Sequence, residues 1–199
     1  MSLTKSLLAA AALLASPAFA ATTWQIDPAH STASFKVKHM MVSNVTGTIA
    51  GLKGSVQLDD KAIDKSSVMV TLDATTISTG NQDRDKHLRS PDFFNADKCS
   101  EIKFVSTGVT GQAPSLMVNG NLTMNCVTKP VALTIDGPTA PVKGMMGDMR
   151  RGLTATTKIN RKDFNISWNK SLDGGGVVVG DDVAITLEIE LTDAAKAAH

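Results

Sequence analysis

The stretch DVAITLEIEL, residues 182–191, decides how the chain is read. Val183, Ile185, Leu187, Ile189 and Leu191 alternate with Asp182, Thr186, Glu188 and Glu190. Successive side chains of a strand point to opposite faces, so this run has one dry side and one wet side. One-sided strands belong to antiparallel sheets. The pattern recurs upstream. Val68, Val70, Leu72 and Ala74 alternate with Ser67, Met69, Thr71 and Asp73, and Leu116, Val118, Gly120, Leu122 and Met124 alternate with Met117, Asn119, Asn121 and Thr123. Val131, Leu133 and Ile135 repeat it.

Further strands are expected over residues 33–38, 45–58 (bent near Gly51 or Gly54), 102–106 and 152–159. That makes about eight, separated by turn signals at Asp59-Asp60, residues 108–114, Gly137-Pro138 and Gly174-Gly175-Gly176. Two stacked sheets or a closed barrel would each bury one face per strand. Closure leaves no exposed edge, and eight strands enclose an interior that is either packed or holds one ligand. The expectation is an all-β, about eight-stranded antiparallel barrel with a short helical crossover.

The crossover is NQDRDKHLRSPDFF, residues 81–94, where the alternation stops. Thr79 and Gln82 have the spacing of a capping box and place a helix start near Gly80. Asp83 with His87, and Asp85 with Arg89, stand four apart and can pair. Ser90-Pro91 ends this helix and can begin a second short turn. Phe93 and Phe94 would dock the segment over one end of the strands, and Arg84, His87 and Leu88 share a side of the helix.

The first twenty residues read as a secretory signal. Lys5 precedes an apolar run from Leu7 to Leu14, and Ala18-Phe19-Ala20 fits a cleavage site. The remaining residues, 21–199, then form one domain in a bacterial periplasm. The whole chain carries 20 Lys+Arg against 19 Asp+Glu, and loss of Lys5 balances them. A nucleic-acid surface needs a basic excess, so that partner class is excluded.

Cys99 and Cys126 lie in the exported part, where disulfides persist. A hairpin of residues 102–106 with 116–124, centred near residue 112, sets the two thiols opposite each other. A register error would instead leave two separated, buried thiols.

Chemistry-bearing patterns are sparse. The four histidines are His30, His39, His87 and His199, with no HExxH and no tight ligand spacing. No GxSxG elbow or phosphate-binding glycine loop occurs. Neither a catalytic residue, nor a metal site, nor a cofactor is assigned. Met40-Met41 and Met145-Met146 could offer soft thioethers to Cu(I); flexible packing or cavity lining is the stronger reading. His30, after Asp27-Pro28-Ala29, can tie down a turn or contact the polar end of a ligand. His39 ends a strand and would stand at a rim.

Read together, these segments resemble one family. WQIDPAHSTASFKVKH (24–39), Val45 with Gly47 and Gly54, ISTGNQDRDKHLRSPDFFNADKCSEIKFVST (77–107), VNGNLTMNCVTKPVAL (118–133), INRKDFNISW (159–168) and DDVAITLEIE (181–190) carry the likeness. It is to the YceI-like family, exported polyisoprenoid-binding proteins with a lipocalin-like barrel. Four positions depart from the pattern. Cys99-Ser100 stands where members have an aromatic and a Pro, and Cys126 and Asn165 each replace a Gly.

The resemblance implies a long isoprenoid chain, a prenylated quinone or prenyl phosphate, held inside the barrel without covalent chemistry. It also implies passing contact with a membrane or another lipid donor or acceptor. Phe93, Phe94 and Leu88 would face the tail, with Arg84, His87, His30 and His39 as contacts to a head group and Met40, Met41, Met145 and Met146 lining the cavity or its mouth. Two alternatives stand beside it: a barrel with a self-filled core acting through its surface, and an enzyme using His30, His39 or His87 as proton carrier.

Overall fold

The computed structural model describes residues 21–193; residues 1–20, with the expected secretory signal, and the tail with His199 lie outside the described residues. The strands are β1 (Thr22–Ile26), β2 (Thr32–His39), β3 (Ser43–Ile49), β4 (Lys53–Leu58), β5 (Ser67–Asp73), β6 (Glu101–Gln112), β7 (Ser115–Met124), β8 (Val127–Asp136), β9 (Val142–Lys143), β10 (Met149–Asn160) and β11 (Val179–Asp193). One α-helix, α1 (Gln82–Arg89), lies between β5 and β6.

All pairings between these strands are antiparallel, and they close into a ring of eight wall strands. β1 and β2 lie end to end along one edge of β11, Trp24 opposite Asp193 and Ala33 opposite Leu187. β4 and β3 pair with them in turn. Each couple is one wall strand with a break, at residues 27–31 and at 50–52. Gly51 has φ 76°, a left-handed turn that glycine adopts without a Cβ penalty. From β4 the ring continues through β5, β6, β7, β8 and β10, and β10 seals it against β11 from Arg150–Thr192 to Asn160–Asp182. The short β9 pairs with β10 past the end of β8, on the edge away from β11.

The residues that alternate in the sequence are those that fill the interior. Ile102, Phe104, Leu116, Val118, Leu122, Met124, Ile135 and Leu187 are all buried. Asp73 pairs with Glu101, so the connection carrying α1 caps one end, shared by the β7–β8 turn and the loop after β10. At the other end, the base, Trp24, Ile26, Leu52, Val56, Leu58 and Leu191 form a second cluster. There Arg151 makes a two-pronged ion pair with Asp60 at 2.8 and 2.7 Å and sits 5.1 Å from the Trp24 ring centroid.

Several local expectations are corrected. β1 is a wall strand missing from the strands expected from the sequence, because five residues are too few to establish a period. Residues 108–112 are not loop: β6 runs to Gln112, which pairs with Ser115, and a bulge between Ser106 and Gly108 shifts the register. The helix is capped by Asn81, whose side chain accepts from the Arg84 amide at 3.0 Å, and not by Thr79. The expected ion pairs along the helix are replaced by contacts outside it. His87 turns to Asp92 at 2.9 Å, while buried Asp85 accepts from the amide and hydroxyl of Thr79.

Candidate ligand cavity beneath the crossover

The crossover is held at three places. Arg84 donates through Nε to Thr79 Oγ1 at 2.7 Å and through Nη2 to Thr79 O at 3.0 Å, and Arg89 donates to Ile77 O at 3.3 Å. These contacts fix the entry to the helix. Beyond it, the His87 ring stands edge-on to Phe93 at 5.0 Å and to Trp168 at 4.9 Å, a geometry aromatic quadrupoles favour. At the exit, Cys99 and Cys126 are joined by a disulfide with Cα atoms 5.4 Å apart. Cys126 reaches Cys99 from the β7–β8 turn, where Asn125 and Cys126 have φ of 49° and 58°. The pair the sequence placed opposite is thus joined, although both cysteines lie just beyond the β6–β7 ladder.

With the crossover so held, Leu88, Phe93 and Phe94 roof an apolar cavity of about 160 Å³. Its walls are Phe35 and Val37 of β2, Leu72 of β5, Phe104 of β6, Leu122 and Met124 of β7, Val131 of β8, Ile159 of β10, and Val183 and Ile185 of β11. Towards the base lies a second apolar cavity of about 60 Å³, bounded by residues including Ile26, Val56, Leu58, Leu116, Ile135 and Leu191. Val70, Leu133 and Leu187 border both. The hollow inside the barrel thus comprises two apolar cavities that share a border of branched side chains from three strands. Apolar cavities near 150 Å³ stay dry and accept a group about the size of benzene.

Arg161 also reaches the larger cavity, yet its charge is fully engaged. It is buried and donates to the carbonyls of Gly180, Ile166, Trp168 and Val179 and to Asp181 Oδ1. Burial pushes its pKa below the ordinary arginine value, with the Asp181 carboxylate opposing. It knits the loop after β10 to the start of β11 and leaves no donor for a ligand.

Of the residues singled out in the sequence, Leu88, Phe93 and Phe94 border the larger cavity, and the others do not. Arg84 is exposed and turned to Thr79, and His87 packs against the aromatic rings at the roof. His39 ends β2, and Met40 and Met41 form the tip of the β2–β3 hairpin at 44% and 57% exposure. Met145 and Met146 lie in the β9–β10 turn at the base, fully exposed and at the opposite end from the roof, which corrects their expected place at the cavity. The methionine that does line the larger cavity is Met124.

His30 lies on the outer wall and gathers a group that sequence spacing could not show. Its Nδ1 is 2.8 Å from Asp27 Oδ2 and 3.9 Å from Glu190 Oε1. Arg150 donates to Asp27 Oδ2 at 3.1 Å, to Asp148 Oδ2 at 2.7 Å and to Glu190 Oε1. The Asp27, His30 and Glu190 ligand atoms lie within 4.8 Å of one another, but the Arg150 guanidinium already joins both carboxylates as their cation. The Asp27 hydrogen bond and charge raise the His30 pKa above 6.5. Burial works against ionisation of Asp27, but hydrogen bonds from His30, the Ala29 amide and Arg150 hold its pKa below 3.8. Asp27-x-x-His30 was visible in the sequence; Arg150 and Glu190 come from distant strands.

Residues 24–191 match the model of the YceI-like domain. A UPF0312 protein of Photorhabdus laumondii is 38% identical over 161 residues, covering 80% of this chain and 83% of that protein. A UPF0312 protein of Staphylococcus aureus is 32% identical over 171 residues, covering 86% and 98%. Among solved structures, BcnA of Burkholderia cenocepacia superposes with a TM-score of 0.70 at 20% identity, covering 83% and 98%. The Campylobacter jejuni YCEI protein superposes at 0.66 with 26% identity, covering 78% and 89%. A polyisoprenoid binding domain from Saccharophagus degradans superposes at 0.61 with 14% identity, covering 87% and 99%. The closed eight-strand wall, the helical roof and the match across nearly all of the described residues lead to one assignment: the chain belongs to the YceI-like family.

Proposed function

We propose that the protein is an exported, non-catalytic carrier or sequestering barrel that binds the tail of a polyisoprenoid lipid, such as a prenylated quinone or prenyl phosphate. The observation that carries this reading is the almost wholly apolar cavity roofed by Leu88, Phe93 and Phe94. Each buried methylene of a tail gains ~0.8 kcal/mol, so a prenyl chain binds there without any polar contact. The polar head stays outside, since Arg161 is fully engaged and the rest of the lining offers little to hydrogen-bond. The Saccharophagus degradans protein, described as polyisoprenoid binding, supports the ligand class through a shared barrel. Export to the periplasm rests on the composition of residues 1–20 and accords with the disulfide.

The hairpin tip of Met40, Met41 and Val42, exposed at the crossover end, supplies an apolar surface for meeting a donor membrane. The proton-carrier alternative finds no support in the geometry. His30 pairs with Asp27 on the outer wall, and neither His39 nor His87 borders a cavity.

Native mass spectrometry of the exported protein, followed by organic extraction, tests the reading. An added mass matching a prenylated lipid is the expected result. Recovery without bound lipid, together with failure to take up prenyl alcohols or quinones from detergent, would overturn it.

A further inference from the structure

The two chambers meet at a constriction whose geometry follows from the ring order. Val70 lies on β5, Leu133 on β8 and Leu187 on β11. Around the ring of eight these strands are separated by steps of three, two and three, so the side chains converge from three sides of the barrel and not from one wall. Val70 and Leu187 are buried and Leu133 is partly buried. Leu133 and Leu187 pack with the main core cluster and Val70 with the cluster at the base, so the three stand on the border between the two. Above them is the chamber of about 160 Å³, and below them that of about 60 Å³. The lower chamber lies towards the base, the end at which Arg151 joins Trp24 and Asp60.

We propose that Val70, Leu133 and Leu187 form a collar that sets how far an isoprenoid chain reaches into the barrel, and so which chain lengths are bound best. The inference rests on the carrier reading and adds the residues that determine specificity. A short chain ends in the upper chamber, against the collar. A longer one must displace the collar side chains to gain the apolar surface below them, which includes Ile26, Leu116, Ile135 and Leu191. A branched side chain turns between a few staggered positions, so the collar yields in steps, and its bulk sets the penalty for each added unit. Shrinking Leu187 should join the two chambers. Enlarging Val70 should close off the lower one.

The test is binding of a series of prenyl alcohols from geraniol to solanesol, measured by displacement of a fluorescent fatty probe. Wild type, Leu187→Ala, Leu187→Val and Val70→Phe are compared, each checked for its near-ultraviolet circular dichroism. Leu187→Val, a smaller truncation, keeps the test open if Leu187→Ala does not fold. The expected result is a roughly tenfold gain for long over short alcohols on shrinking Leu187, the equivalent of burying about two more methylenes. Val70→Phe should move the preference the other way. If folded variants bind the whole series in the same order and proportion as wild type, the collar is overturned and the carrier reading stands. If no variant, wild type included, binds any prenyl alcohol, the carrier reading falls and the collar with it.

Discussion

His87 meets Trp168 edge-on, with 4.9 Å between ring centroids, and this contact joins the crossover to the loop that follows β10. Phe93, which lies 5.4 Å from Trp168, belongs at once to this aromatic group and to the cavity roof. Phe93 therefore closes the cavity from within and is held from outside by His87 and Trp168. Trp168→Ala should cost about 2 kcal/mol, at the low end for an aromatic truncation because Trp168 is only partly buried. Hydrogen exchange should quicken over residues 81–94 before it does in the wall strands. Unchanged exchange there would show that the rings do not hold the roof.

The disulfide anchors the far end of that segment. Its sequence separation of 27 residues predicts a loss of about 3.5 kcal/mol on Cys99→Ser with Cys126→Ser, from the restored entropy of the unfolded chain. Urea unfolding with and without reductant measures it. Two thiol labels per chain, denatured without reductant, would exclude the bond.

Arg161 gives a prediction that separates charge from shape. Its planar head serves four carbonyls and one carboxylate, and a lysine ammonium with three donors cannot reach them all. Arg161→Lys should lose at least about 2 kcal/mol despite keeping the charge, as buried acceptors go unpaired. Equal stability of the two proteins would refute the bonding scheme.

Asn165 has φ 58° and ψ 19°, a left-handed conformation at the end of the turn Arg161–Phe164. This explains why a glycine can be replaced by asparagine here and by few other residues. Asn165→Gly should stay within a few tenths of a kcal/mol of wild type, while Asn165→Val should cost ~1–2 kcal/mol. Thermal unfolding of the two variants decides it.

The outer-wall cluster should make stability depend on pH in two separate windows. His30 has its pKa raised above 6.5 by Asp27, so its contribution is fully present below 6.5 and is lost as pH rises through the folded-state value. Asp27 has its pKa lowered below 3.8, so its contribution is present above 3.8 and is lost as pH falls through the folded-state value. The imidazole resonances of His30 should titrate above 6.5 and move down in Asp27→Asn. A His30 midpoint unmoved by that substitution would show that Asp27 is not its partner in solution.

The sequence by itself determined the wall. The alternation in residues 67–74, 116–124 and 183–191 leaves each strand one side to bury, and an extended backbone has only two sides to offer. It also marked the crossover, its inward Leu88, Phe93 and Phe94, and the cysteine pair, because these rest on composition and local order along the chain. Only the tertiary structure decided that β1 and β2 share one edge of β11 and that Met145 and Met146 point away from the roof. It also brought Arg150 between Asp27 and Glu190, and set Val70, Leu133 and Leu187 on the border of both cavities. Periodicity states which side of a strand is dry, but not which distant strand stands across the barrel. That is settled by register and closure, where pairings far apart in the chain are chosen together.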